Sequence, residues 1–438
     1  MGSSIPISNP RSITYDGARG NLFVGTDSGV DVINASTSVF VATDLPVDWP
    51  SAMAYDPEDG KVFVSSEDCT GGCGSASPFG LAVINDSTNN VSGFVGLGFE
   101  GSYYNYTPCA VVYDNANDFL YVQGVYSLYI VNASSESLVV SIQNYFPFCG
   151  MVYDSANQVV YVESAHLGAG SYNCSLLVNM LNGSKGSASP GTFLGSGICV
   201  QPYDPAGVAF DWAPIVFDPD NGFLYVVNWW TEQFASTTQL NLSIINGSSN
   251  KLLPTTITLP CAVADMVYVG LTEQLYIAAG QNVTIVDVAT NQVGGAIGTG
   301  QGSSALAYDA DLGNLFALNS LSNNITVVPI TGPSITSFSA NPSVVVLGNT
   351  TTFVVGAVNL LGTLSFAYAG LPPGCLSANV SGLTCNATTP GTFVVQVWAN
   401  NSVGHSASAS TRLDVDRYMI TSFYLTPNRT AIDTSVTF

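Results

Sequence analysis

Cations are scarce in this chain: eight Lys and Arg stand against thirty Asp and Glu, giving a formal charge of −22. Such a surface repels nucleic acid and anionic bilayers, so neither is expected as a partner of this segment. Charge of either sign is sparse, at 9% of residues, and none falls between Leu312 and Thr411. That excludes the dense carboxylate surface of an extreme halophile. Histidine is nearly absent, with only His166 and His405. There is no C-x-x-C-H, H-E-x-x-H or G-x-S-x-G motif, so no catalytic residue, metal site or cofactor is assigned. The most apolar stretch, Thr352 to Leu371, is interrupted by Thr, Asn, Gly and Ser and alternates as strands do, which reads as a strand pair and not a membrane span. We recognise no signal peptide and expect any targeting or anchoring segment to lie outside this chain.

A repeat fills the first 330 residues. An aromatic, usually followed by Asp, ends an apolar run at Tyr15-Asp16, Tyr55-Asp56, Tyr113-Asp114, Tyr153-Asp154, Phe217-Asp218, Tyr268-Val269 and Tyr308-Asp309. After a short turn comes Leu22-Phe23-Val24, Val62-Phe63-Val64, Leu120-Tyr121-Val122, Val160-Tyr161-Val162, Leu224-Tyr225-Val226, Leu275-Tyr276-Ile277 or Leu315-Phe316-Ala317. A third apolar run then ends near Asn34, Asn85, Asn132, Asn182, Asn246, Asp287 and Pro329. Repeats of roughly 40 residues with three or four short strands and no helical period predict a β-propeller, here with seven blades over residues 1–331. The last repeat lacks a fourth strand, and Ser4-Ile5-Pro6-Ile7 stands ahead of the first. We therefore expect the N-terminus to complete the last blade and leave no open edge.

These repeats resemble the YVTN β-propeller repeat family of prokaryotic, in our expectation archaeal, cell surfaces. The resemblance implies the fold and little else, because propellers host unrelated activities. From Ile335 the text changes: Ile335-Thr336-Ser337-Phe338, Asn341-Pro342 and Thr352-Phe353 are echoed by Ile420-Thr421-Ser422-Phe423, Pro427 and Thr437-Phe438. The spacing and alternation predict an immunoglobulin-like β-sandwich over 332–416 and the truncated first strands of a second over 417–438. Leu371-Pro372-Pro373-Gly374 and the run from Thr389 to Val397 resemble the Ig (PKD-like) modules strung along prokaryotic surface proteins. Half a sandwich cannot bury a core, so the natural protein is expected to continue.

Sequons point outside the cell. Asn-x-Ser/Thr occurs at Asn34, Asn85, Asn90, Asn105, Asn132, Asn173, Asn182, Asn241, Asn246, Asn282, Asn324, Asn349, Asn379, Asn386, Asn400 and Asn428. At Asn34, Asn85, Asn132, Asn182 and Asn246 turn chemistry favours the same residues anyway, so glycosylation competes there with a plain Asx turn. Cysteine usage agrees: disulfides are expected for Cys69 with Cys73, Cys174 with Cys199, and Cys375 with Cys385. Metal binding is the rival for Cys69-x₃-Cys73, though no second Cys or His pair accompanies it. Cys109 and Cys149 hold the same position in adjacent repeats, at a separation that strains the reach of a disulfide, and Cys261 is left over.

The recurring Asp reads as a turn cap more readily than as a ring of acids, and Asp204, Asp211, Asp218 and Asp220 match no calcium loop. The repeats have grown at Ser65 to Pro78, Gly98 to Pro108, Ser164 to Asn173, Gly186 to Pro214 and Asn228 to Gln239. In a propeller these connections leave one face. They carry Tyr103, Tyr104, Trp212, Trp229 and Trp230, a set of aromatics suited to a carbohydrate or protein ligand unless the rings simply pack the insertions down. The expected function is binding or adhesion at the cell surface. A structural coat or filament built by self-association is the alternative, and a lactonase- or lyase-type enzyme a more distant one.

Overall fold

The computed structural model describes residues 3–67, 79–98, 108–124, 127–143, 149–164, 174–184, 190–202, 214–231, 238–260, 262–330, 332–359, 363–402 and 406–417. Every regular element among them is a strand. The chain divides into two compact units, Met1–Ile330 and Thr331–Phe438.

Five four-stranded antiparallel sheets follow one another in the larger unit, each with its strands in chain order. The first comprises Pro10–Asp16, Asn21–Thr26, Gly29–Asn34 and Val39–Leu45, and the second begins at Met53, the third at Ala110, the fourth at Met151 and the fifth at Ile215. A sixth, six-stranded sheet runs from Asp265–Val269 to Asn324–Pro329 and ends on Ser3–Pro6. Its long strand Gln292–Asp309 pairs through its first half with Asn282–Asp287 and through its second with Asn314–Asn319. The two halves of this sheet pack on each other through Tyr276, Ala278, Val283, Leu306, Leu315 and Ala317.

Second and third strands are continuous apolar runs because both their faces are covered. Asn21–Thr26 is buried throughout. Each sheet packs on the next: Phe23 and Val32 meet Val62 and Ile84, Phe63 and Leu81 meet Leu120 and Tyr129, Tyr121 and Ile130 meet Val160 and Val162, and the series continues to the sixth sheet. The last cluster returns to the start, with Phe316, Leu318 and Ile325 against Ile5, Ile7, Leu22 and Val24. Ser3–Pro6 pairs antiparallel with Asn324–Val327, so the N-terminal strand completes the final sheet as expected. The turns between first and second strands close on a left-handed residue, glycine at Gly20, Gly60, Gly222 and Gly313 but Asp118, Gln158 and Glu273 in the others.

Two insertions are shorter than the sequence suggests. Strands Phe223–Thr231 and Thr238–Asn246 stay paired out to Thr231 and Thr238, so both ends of Asn228 to Gln239 extend the hairpin. Within Gly186 to Pro214 lies Ile198–Pro202, the outer strand of the fourth sheet. Its alternation is too brief to stand out from the surrounding Gly and Ser.

The smaller unit is a two-sheet sandwich. Ser334–Asn341, Thr350–Val358 and Gly382–Asn386 form one sheet; Val344–Val346, Ser406–Asp416, Gly391–Asn401 and Leu364–Ala369 form the other. Phe353, Val355 and Leu383 from the first meet Tyr368, Val395, Val397 and Leu413 from the second in one core. Cys375 and Cys385 are disulfide-bonded, with Cα atoms 5.1 Å apart. The segment predicted to start a further module, residues 418–438, lies outside the described residues.

Candidate functional site

The repeated Asp is a fastener and not a site. Asp16, Asp56, Asp114, Asp154, Asp218 and Asp309 are all fully buried. In each, Oδ1 accepts a backbone N–H two residues on, as from Ala18 to Asp16 and from Asp311 to Asp309, both at 2.9 Å. The phenol of the following sheet lies near the same carboxylate, Tyr55 near Asp16, Tyr113 near Asp56, Tyr153 near Asp114, Tyr268 near Asp218, and Tyr15 of the first sheet near Asp309 of the last, while three of them donate to a neighbouring acid: Tyr55 to Asp86 at 3.1 Å, Tyr113 to Asp118 at 3.3 Å and Tyr268 to Asp220 at 2.7 Å. Burial first, and then these carboxylates (with Asp220 ahead of Asp218 at Tyr268), raise all five phenols above their ordinary value. Two junctions lack half the pair, because Phe217 has no hydroxyl for Asp154 and Val269 no carboxylate for Tyr308. Asn157 Nδ2 donates to Asp154 Oδ2 at 2.7 Å, as Asn117 Nδ2 does to Asp114 Oδ2. Scarce cations serve the same end: Arg19 reaches Asp86 of the second sheet at 2.9 Å, and Lys61 reaches Glu136 of the third at 3.0 Å.

At the opposite end of the first strands is a cavity of about 800 Å³. Three residues ahead of each repeat aromatic stand Ser12, Ala52, Ala110, Gly150, Pro214, Asp265 and Ala305, and all of them line it. Six are small or rigid, which leaves room along the axis, and one is an acid. Ile13, Met53, Val111, Met151, Ile215 and Val227 add apolar wall. The hydroxyls turn away from the space: Ser12 Oγ donates to Pro50 O at 2.7 Å, Ser51 Oγ to Pro108 O at 2.9 Å and Ser304 Oγ to Leu318 O at 3.4 Å. Asp265 accepts from Met266 N and Leu306 N, both at 2.8 Å. Burial still raises its carboxyl to about 6, outweighing those two hydrogen bonds.

At the rim, Arg11 pairs with Asp27 and stacks over Trp49, its guanidinium carbon 4.4 Å from the ring centroid. Trp49 is 51% exposed and sits at φ 51°, a left-handed conformation that a bulky residue rarely adopts. Sequence reading passed over it, because a single Trp in a short connection has no period; its signal is the Asp-Trp-Pro text of residues 48–50.

Of the aromatics singled out from sequence, Tyr103, Tyr104 and Trp212 lie outside the described residues. Trp229 and Trp230 fall on the strand Phe223–Thr231 opposite Leu240 and Gln239, and their side chains lie outside the described residues. Cys69, Cys73 and Cys261 lie outside them too, as do Asp204 and Asp211 of the calcium alternative. Asp218, its third member, is used in its turn. Cys174 and Cys199 are bonded, joining adjacent strands of the fourth sheet and not two insertions. Cys109 and Cys149, which spacing alone placed at the limit of reach, are bonded with Cα atoms 5.5 Å apart and line the cavity. First strands lie innermost, where neighbouring sheets converge, and that closes the gap. Three disulfides among the described residues mark an oxidising environment, and no helix among those residues is long and apolar enough to cross a membrane.

The recurring sequon asparagines form Asx turns. Asn34 Oδ1 accepts from Thr37 N at 3.0 Å, and Asn85, Asn132, Asn182 and Asn246 make the same kind of bond. These turns use the amide oxygen and not the nitrogen that a glycan would occupy.

Glu163 is a second misfit. It is fully buried, neither carboxylate oxygen has a hydrogen bond, and burial holds its pKa well above the ordinary carboxylate range. Gln123 holds the corresponding place in the third sheet and donates from Nε2 to Glu163 O at 3.1 Å, so an amide fits there. A raised carboxyl contributes stability below its unfolded value that is lost as pH climbs through the folded one. Glu163→Gln is therefore expected to stabilise the protein at pH 8 by on the order of 1 kcal/mol and to change little at pH 4. Thermal melts at the two pH values check this; an equal shift at both would contradict it.

No family profile and no curated protein matches the chain. Among solved structures it is similar to hydrazine synthase of Kuenenia stuttgartiensis, at 16% identity and a TM-score of 0.58 over 74% of this chain and 96% of that one. It is also similar to a chain of a mitotic checkpoint complex, at 9% identity and a TM-score of 0.52 over 75% and 91%. Both neighbours are propeller-like. The chain has a β-propeller-like, all-β fold. At such identities the likeness speaks for the fold alone.

Proposed function

We propose that this protein is a seven-bladed β-propeller of the YVTN type followed by an immunoglobulin-like module, displayed at a cell surface, and that it captures a protein or carbohydrate ligand at the mouth of the central cavity. The two halves of the six-stranded sheet, each offering four ribbons, support the count of seven. The observation that carries the binding reading is the cavity: every sheet gives it the start of its first strand, and Cys109, Cys149 and Pro214 stand among its lining residues. A concave apolar space with few convergent polar groups is the usual form of a binding site. Conversion of a ligand has no support in the sequence motifs.

The test is a glycan and protein array probed with the full chain, followed by Ala110→Trp, which fills the cavity, and Ser135→Ala at the far turn. Loss of at least tenfold in affinity for Ala110→Trp alone is expected. A ligand that binds Ala110→Trp as tightly as the parent puts the site elsewhere.

One observation favours the coat reading as a second role. Outer strands Asn90–Gly98 and Ser137–Gln143 carry no charged side chain and expose Phe94, Leu138 and Val139, whereas natural sheet edges are normally guarded by charge. Ordered assembly of the purified chain, abolished by Phe94→Lys, would support it.

A further inference from the structure

The central cavity presents one ionised group with no counter-ion. Arg11 and Asp265 are the only ionisable side chains that line it among the described residues, and Arg11 is already engaged by Asp27 and Trp49 at the rim. No described cation forms an ion pair with Asp265. Six of the seven repeats place Ser, Ala, Gly or Pro at this level, so the acid is an exception to its own repeat. The equivalent strands of the other sheets form without an acid at this place, although here it also accepts Leu306 N of the next repeat.

Each oxygen of Asp265 accepts one backbone N–H, which fixes the carboxylate at the cavity wall with acceptor capacity to spare. Ala264 adjoins it in the chain, and elsewhere the cavity wall is apolar, with Val263, Ile13, Met53 and Leu240. A charge held in a low-dielectric, preorganised setting binds its opposite far more strongly than the same charge in water. An anion would meet repulsion, and a neutral apolar body would leave the carboxylate buried and uncompensated.

We propose that the cavity takes an organic cation, an ammonium group on an apolar stem, with Asp265 as its counter-ion. This deepens the reading of the cavity as a binding site and rests on it. Two sources carry that chemistry: a free alkylamine and a lysine side chain reaching in from a bound protein. Both bury an alkyl stem against the wall and bring a donor-rich head to the acid.

Calorimetric titration of the full chain with hexylammonium, hexanol and hexanoate at pH 7.5 tests it. Hexylammonium is expected to bind at least tenfold more tightly than the other two, and Asp265→Asn to remove that preference. The unmodified chain gives an independent readout. Ionised Asp265 is required, and the strands beside it bring only Ala278 and Leu306 to its level, so hexylammonium affinity falls as pH drops below about 6. Tighter binding of α-acetyl-lysine amide than of hexylammonium assigns the ammonium to a protein side chain, and the reverse order assigns it to a free amine. If hexanol or hexanoate binds as well as hexylammonium, the cation proposal fails while the cavity remains a site. Binding of none of the three overturns the proposal, and an array ligand lost in Ala110→Trp would still uphold the cavity.

Discussion

Deletion of residues 1–8 is expected to destabilise the larger unit by roughly 4 kcal/mol, the largest effect of any small change outside the buried second strands. Ser3–Pro6 contributes one strand's ladder to Asn324–Val327, and Ile7 N donates to Asn323 O at 3.1 Å. Ile5 and Ile7 are 3% and 6% exposed in the cluster that joins the last sheet to the first. Burying each contributes about 2 kcal/mol. Their removal also bares Asn324–Pro329 as an apolar edge open to pairing with other chains. Denaturant unfolding of the full chain and the deletion measures it. An unchanged midpoint would mean that the ring holds without its N-terminal strand.

Asp309→Ala is expected to cost about 3 kcal/mol. The carboxylate is fully buried, takes hydrogen bonds from Asp311 N at 2.9 Å and Leu312 N at 3.0 Å, and faces the Tyr15 phenol across the closing junction. Alanine leaves two backbone donors without their acceptor in a buried turn. The same substitution at an exposed acid such as Asp48 should stay within about 0.5 kcal/mol. A loss at Asp309 no larger than that would show the repeated Asp to be a sequence habit of the turn and not a fastener.

Sheet order was legible because a closed ring must repeat itself. Every sheet buries the same two strands on both faces, so Leu22-Phe23-Val24 and Leu224-Tyr225-Val226 answer to one physical demand. The turn role of Asp16 and its equivalents was legible too, since an Asx cap is local. What the text did not disclose was radial. That the Tyr55 phenol sits against Asp16, and that Cys109 bonds Cys149, depends on how closely inner strands of neighbouring sheets approach, and spacing along the chain carries no record of it. Ile198–Pro202 was hidden for a different reason: five residues inside a Gly- and Ser-rich stretch give no period. The candidate site was read from the conspicuous aromatics and not from the quiet column three residues ahead of each one. Comparing Ser12, Ala52, Ala110, Gly150, Pro214, Asp265 and Ala305 exposes the acid at a glance, but only once those positions are known to meet on one axis.

The strand that closes the ring is the first to be synthesised. Ser3–Pro6 has no neighbour to pair with until Asn324–Pro329 has been made, and every sheet between them can form from contiguous chain. A ribosome stalled anywhere in that interval releases an arc with two sticky faces. Completion is thus a check on the integrity of the larger unit, read by the protein itself: a product missing either of the two closing strands cannot hide its edge and stays visible to proteases and chaperones. The wait also carries a rate cost, because the final pairing spans the longest loop in the unit.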